Sequence, residues 1–285
     1  MAAIRFTKMH GIGNDYLYLD GFTGPLPAPA ALPDLARRMS DRHRGVGSDG
    51  LILVRPDRDA DCAMEMFNSD GSPGEMCGNG IRCVAKLVRD RGHVAKDEIR
   101  IRTGAGVLTA RLTGTDAHGA TLVRVDMGVP RLKRREIPMG GPPEERAVAV
   151  PLGALDREFR ITAVSMGNPH CVVFLDEPVA FFPVERYGAH IERLPLFPNR
   201  VNVEFVEPLA DGSLRQRTWE RGAGETEACG TGASAVGVAA VLNGLRSGAV
   251  LVHLAGGDLS IEWGGSGSVL MTGPAEEIFS GDWPA

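Results

Sequence analysis

Two of the five cysteines, Cys77 and Cys229, stand where a glycine-rich turn gives way to a helix-forming run. The first lies in EMFNSDGSPGEMCGNGIRCV at 65–84, the second in ERGAGETEACGTGASAVGVAA at 220–240. A thiol is a useful base or nucleophile only as the thiolate, and the oriented amides of a helix start favour that form. Gly78, Gly80, Gly230 and Gly232 let a ligand come close to those amides, which also make an anion site fit for a carboxylate. Two thiols serving one carbon that bears this carboxylate could take a proton from one face and deliver one to the other. A single C-G-x-G reads most simply as a tight turn around a buried cysteine. Its recurrence in register favours chemistry.

The remaining cysteines, Cys62, Cys83 and Cys171, read as small buried hydrophobes. The total is odd, no C-x-x-C occurs, and no two pairs of ligands stand at zinc spacing, so neither a disulfide framework nor a metal site is expected. No lysine sits in a recognisable pyridoxal site, so no cofactor is expected either.

The elements that must position these thiols show an internal duplication. FTKMHGIGNDYLYL at 6–19 resembles ITAVSMGNPHCVVFL at 161–175, each a strand, a Gly-Asn turn and a second apolar strand. Asn14 and Asn168 are 154 residues apart, Cys77 and Cys229 152. RGVGSDGLILVRP at 44–56 matches NRVNVEFVEP at 199–208, and CAMEMFNSDG at 62–71 matches LRQRTWERGAG at 214–224, with Asn68 placed opposite Arg221. VRVDMGVP at 123–130 echoes VLMTGPA at 269–275. Short strands rich in β-branched and aromatic residues dominate. Helices are expected at 33–43, 81–92, 233–244 and within 176–197; the third is apolar nearly all round, as a helix enclosed by sheet must be. The fold class is therefore α+β, two similar repeats, with the boundary between them as the natural ligand site. The expected division is 1–127, completed by 274–285, and 128–273.

At 285 residues, 43% hydrophobic and 24% charged, the chain can bury two cores. A net charge of -5 argues against nucleic acid as a partner, and RLKRRE at 131–136 reads as a solvated turn. The N-terminal residues lack the apolar stretch of a secretion signal, and no run is long and apolar enough for a membrane span, so a cytoplasmic protein without membrane partners is expected.

KMHGIGNDYLYLD, FNSDGSPGEMCGNGIRC, SMGNPHCVVF, RVNVEF and ERGAGETEACGTGASA together resemble the diaminopimelate epimerases from end to end, in order and spacing. Proline racemases, related and also cofactor-independent, typically have His where Asn79 stands and lack the ERGAGET run. The resemblance implies a pyridoxal-independent isomerase interconverting LL- and meso-diaminopimelate in lysine and peptidoglycan precursor biosynthesis. It implies two domains, each a curled mixed sheet around a central helix, and a homodimer. Cys77 and Cys229 become the acid/base pair, with His170 and Glu220 as partners that each deprotonate one thiol. Gly78, Asn79 and Gly80 with Gly230 and Thr231 would hold the carboxylate at the reacting centre. Asn14, Asn68, Asn168, Asn202, Glu220 and Arg221 would hold the distant amino-acid end. Those residue types suit the task, since an ammonium and a carboxylate need amide acceptors, an acid and a bidentate arginine. His10 is expected to serve structure. Where some relatives have Gln this chain has Gly50, and where some have Tyr at a dimer contact it has Leu270. Another racemase or isomerase of the same fold, or a binding protein that has lost catalysis, are the competing readings; Arg221 and the asparagines speak against the first, the two retained cysteines against the second.

Overall fold

The computed structural model of the protein describes residues 3–74 and 77–284. Glu75 and Met76, within the first cysteine motif, lie outside them. The chain divides into two compact units, Met1–Val125 with Thr272–Ala285, and Asp126–Met271.

In the first unit, β1 (Ile4–Gly11) and β2 (Asn14–Asp20) form an antiparallel hairpin. Gly13 closes it at a φ of 83°, a left-handed conformation that glycine adopts without penalty. After α1 (Leu32–Ser40), β3 (Gly50–Arg55) pairs parallel with β2 and antiparallel with β4 (Cys62–Asn68). A short β5 (Pro73–Gly74) leads to α2 (Gly78–Asp90). β6 (Glu98–Thr103) then runs parallel to β4, followed by antiparallel β7 (Gly106–Thr115) and β8 (Thr121–Asp126).

The second unit repeats this sequence of pairings. β9 (Val150–Ala154) adds an antiparallel strand before the repeat proper. β10 (Arg157–Ser165) and β11 (Pro169–Phe174) form the hairpin, turned at Gly167 with a φ of 105°. After α3 (Val184–Ile191), β12 (Asn202–Pro208) pairs parallel with β11 and antiparallel with β13 (Leu214–Glu220). β14 (Gly224–Thr226) precedes α4 (Gly230–Leu242), and β15 (Gly248–Leu254) runs parallel to β13 with β16 (Gly257–Trp263) beside it. β17 (Leu270–Trp283) returns to the first unit, where it pairs antiparallel with β1.

The expected α+β class with two repeats is what the chain forms, and the helices lie where apolar periodicity placed them. α2 and α4 begin three residues earlier than their apolar patterns, because the glycines after each cysteine already belong to the helix. α4 is enclosed: Gly232 through Ala240 are all buried, and it packs on β10, β11, β12, β15 and β16. α2 keeps a charged edge, with Lys86 paired to Asp90 at 2.6 Å one turn on. Among the described residues no helix is long and apolar enough to cross a membrane.

The register corrects one correspondence. Gly50 faces Asn68 across β3 and β4, while Val203 faces Trp219 across β12 and β13. Tyr16 lies beside Gly50, and His170 beside Asn202. Asn202 therefore answers Gly50, and Glu220 answers Asn68; Arg221, expected opposite Asn68, stands one residue further on.

Candidate active site

Both thiols are helix caps. Cys77 precedes α2 in extended conformation (φ -129°, ψ 119°), and its Sγ accepts the Gly80 amide at 3.4 Å. Cys229 precedes α4 almost identically (φ -124°, ψ 104°), its Sγ accepting the Gly232 amide at 3.3 Å. Such a cap leaves the first amides of the helix, those of Gly78 and Asn79 or Gly230 and Thr231, aimed beyond the helix end where an anion would sit. The third residue has little room for a side chain. A Cβ on Gly80 would meet Ile52 Cδ1 at 2.8 Å, and one on Gly232 would meet Glu204 Oε1 at 2.9 Å.

Around Cys77 the first unit gathers three predicted residues. The Cys77 thiol donates to Asn14 Oδ1 at 3.2 Å, and Asn79 Nδ2 donates to the same oxygen at 3.3 Å. The Asn14 amide is held from behind by the Asp49 carboxylate at 2.6 Å. Burial pushes the Cys77 thiol up; the Gly80 and Asn79 amides, the Tyr16 hydroxyl and the Arg82 cation pull it the other way. Arg82 is wholly buried, donating from Nε to the Pro274 carbonyl at 3.0 Å and from Nη1 to the Gly78 carbonyl at 3.3 Å. Asn68 holds Ser72 Oγ at 2.9 Å, and among the described residues no hydrogen bond joins it to Cys77 or Asn14. His10 accepts the Gly13 amide at 3.3 Å, a turn contact.

Around Cys229 the second unit builds a polar shell. Thr231 Oγ1 lies 3.5 Å from Cys229 Sγ and accepts from Asn168 Nδ2 at 3.2 Å. Asn168 Oδ1 faces His170 Nε2 at 3.0 Å, and His170 Nδ1 faces Glu204 Oε1 at 2.8 Å. Both ring nitrogens are thus engaged, and among the hydrogen bonds of the described residues none runs from His170 to Cys229. Glu220 accepts from Thr226 Oγ1 at 2.6 Å; burial raises its carboxyl against that bond. Burial raises the Cys229 thiol well above its ordinary range, with the Glu220 and Glu204 carboxylates adding to it. Asn202 donates to the Pro169 carbonyl at 3.0 Å and accepts the Arg221 amide at 2.9 Å, so it shapes the turn that carries Arg221. The Arg221 guanidinium donates to the Asn199 carbonyl at 3.0 Å and has no carboxylate partner among the described residues. It borders a cavity of about 530 Å³ shared with Ser165, Gly167, Pro169 and Asn199.

Four contributors went unread in the sequence: Asp49, Tyr16, Arg82 and Glu204. The last two left a signal. Each is a charge inside an apolar run, GIRCV and VNVEFV, and such a charge is buried only with partners.

The family model for diaminopimelate epimerase matches residues 6–133 and 162–278. The chain is 53% identical over 281 residues to a diaminopimelate epimerase of Pelotomaculum thermopropionicum, covering 99% of each chain. It is 51% identical over 283 residues to one of Geobacillus kaustophilus, covering 99% of this chain and 97% of that one. Among solved structures, a phenazine biosynthesis protein of the PhzF family from Bacillus anthracis matches over 100% of both chains with a TM-score of 0.74 at 17% identity. A hydroxyproline epimerase from Agrobacterium vitis matches 99% of this chain and 91% of that one, with a TM-score of 0.67 at 16% identity. These two likenesses are of fold.

Proposed function

The chain belongs to the diaminopimelate epimerase family, and on that premise we propose that it interconverts LL- and meso-diaminopimelate by two-base proton transfer at the α-carbon. The observation that carries the reading is the pair of cysteines capping two glycine-flanked helices with the same geometry. An α-proton of an amino acid is far less acidic than a thiol, so its removal needs help. Amides at the helix starts stabilise the charge that spreads onto the carboxylate as the proton leaves, a preorganised site for that oxyanion. One sulfur takes the proton as thiolate while the other, protonated, delivers its own to the opposite face.

The distant end of the substrate supplies selectivity. Arg221, with no acidic partner of its own among the described residues, offers a planar fork to the second carboxylate, and Glu220 and the Asn68 amide oxygen accept the ammonium. Asn14, Asn168 and Asn202, whose oxygens already accept hydrogen bonds, shape the surroundings of that end of the substrate. In this reading Asn202 acts chiefly by setting the Arg221 turn. The reaction uses no added cofactor or metal. The same reading includes a cytoplasmic homodimer with neither nucleic acid nor membrane as partner, supported by the family resemblance and the net charge of -5.

The test is direct. Purified protein is mixed with LL-diaminopimelate without cofactor, and chiral chromatography is expected to show the meso isomer accumulate to an equilibrium reached from either side. Turnover of proline or hydroxyproline in its place would reassign the substrate.

A further inference from the structure

His170 and Glu204 are both fully buried, and the duplicated fold shows that the architecture does not require them. By register, the position of His170 is held in the first unit by Tyr16, and that of Glu204 by Ile52. The same sheet therefore packs beneath the start of α2 with an apolar side chain where α4 has a carboxylate. Burying a histidine and a glutamate is costly unless their hydrogen bonds are made, so a pair found in one copy alone calls for a local reason.

That reason lies in the chain of contacts leading outward. Asn168 gives its Nδ2 to Thr231, which leaves its Oδ1 facing His170 Nε2, so Nε2 must carry a hydrogen. The 2.8 Å contact between Nδ1 and Glu204 Oε1 needs a second hydrogen between them. Thr231 Oγ1, filled as an acceptor by Asn168, has its own hydrogen free for Cys229 Sγ at 3.5 Å. We infer that Glu204 is a positioning residue for the epimerisation: it fixes His170, and through Asn168 and Thr231 it aims a hydroxyl donor at Cys229, where Cys77 takes the Tyr16 hydroxyl directly. His170 acts in this arrangement as part of the tether rather than as the base that deprotonates Cys229. The inference rests on Cys229 being one of the two reacting thiols.

The titratable groups that face Cys229 are His170 on β11, Glu204 on β12 and Glu220 on β13, with the α4 amides on its own helix. Replacing Glu204 by Ile removes both the tether and the carboxylate that raises Cys229, and these act on the thiol in opposite directions; Thr231→Val removes the hydroxyl donor alone. A thiolate deprived of its donor is less stable, so in Thr231→Val Cys229 should ionise at higher pH.

The experiment reads each thiol without substrate, so its outcome is separate from whether the substrate is diaminopimelate. Alkylation of Cys77 and Cys229 by iodoacetamide is followed by peptide mass across pH in the wild type, Glu204→Ile, Glu204→Gln and Thr231→Val. In Thr231→Val, which cuts the chain without disturbing the buried pair, the Cys229 midpoint should rise by about half a pH unit or more, with Cys77 unmoved. In Glu204→Ile kcat should fall about tenfold or more while KM stays within about twofold. Glu204→Gln, which still offers Nδ1 a partner, should restore most of the lost kcat. The Thr231→Val arm keeps the test open if Glu204→Ile does not fold. A Cys229 midpoint that stays or falls in Thr231→Val, a Cys77 midpoint that moves equally, or an unchanged kcat in Glu204→Ile overturns the inference.

Discussion

Arg221 is exposed beside a cavity and, among the described residues, its guanidinium is tied only to a backbone carbonyl, so most of its donors are available to a ligand. Lysine would keep the charge and lose the fork. Arg221→Lys should therefore lower kcat/KM by about 2–3 kcal/mol of transition-state binding, and an unchanged value would remove Arg221 from the site. The thiols make a second expectation. Ionisation of one thiol creates the base, and ionisation of the other destroys the acid, so kcat/KM should be bell-shaped in pH. Beyond burial, the Glu220 carboxylate raises Cys229. Glu220→Gln removes that anion, which lowers the thiol and should move the alkaline limb to lower pH; a limb that stays put would separate Glu220 from Cys229. Away from the site, burial pushes the Cys83 thiol up to about 11 from an ordinary 9.0. The unfolded chain then releases this proton first, so folding stability is intact below pH 9 and is lost as pH rises toward 11, at about 1.4 kcal/mol per pH unit. Urea denaturation between pH 9 and 11 should show a shallower decline in Cys83→Ala than in the wild type; parallel declines would contradict the burial effect.

At the scale of elements, each unit sets one helix start beside one hairpin. Gly13 and Gly167 turn the hairpins in left-handed backbone, which sets Asn14 and Asn168 against the helix caps. Gly232 lets α4 descend onto β12, since an added methyl would press on Glu204 Oε1 at 2.9 Å and Gln216 Nε2 at 3.1 Å. Gly232→Ala should cost about 1–3 kcal/mol from overpacking, against about 1 kcal/mol regained in helix propensity, with its larger effect on kcat. A urea midpoint above that of the wild type would show that the sheet yields there. Much of this was legible beforehand. The cysteine-glycine spacing marked both helix starts, and the Gly-Asn turns marked both hairpins, because each depends on local backbone chemistry. Asn168, His170 and Thr231 were named from the resemblance, but their linkage through Glu204 beneath Cys229 was not legible, because the four come from β11, β12, α4 and the turn before β11. Only strand register brings them together, and a one-residue slip, as in the matching of Asn68 to Arg221, escapes inspection of the chain alone.

At the scale of the molecule, one duplicated unit has been given two electrical characters. Beneath Cys77 lie Tyr16, Ile52 and the buried Arg82 cation; beside Cys229 lie His170, Glu204 and Glu220. A fold that needed only two scaffolds could have kept them alike, and the divergence agrees with the proposed chemistry, in which one thiol is a base while its counterpart remains an acid. The central claim is that two different sulfurs handle the proton that leaves and the proton that arrives. It is tested most directly by running LL-diaminopimelate with the enzyme in D2O and stopping early. The donor thiol has already exchanged with solvent, so product should carry deuterium at the inverted carbon while recovered substrate remains largely unlabelled. Original hydrogen retained in the product would mean one group swinging between faces, and would contradict the two-thiol account.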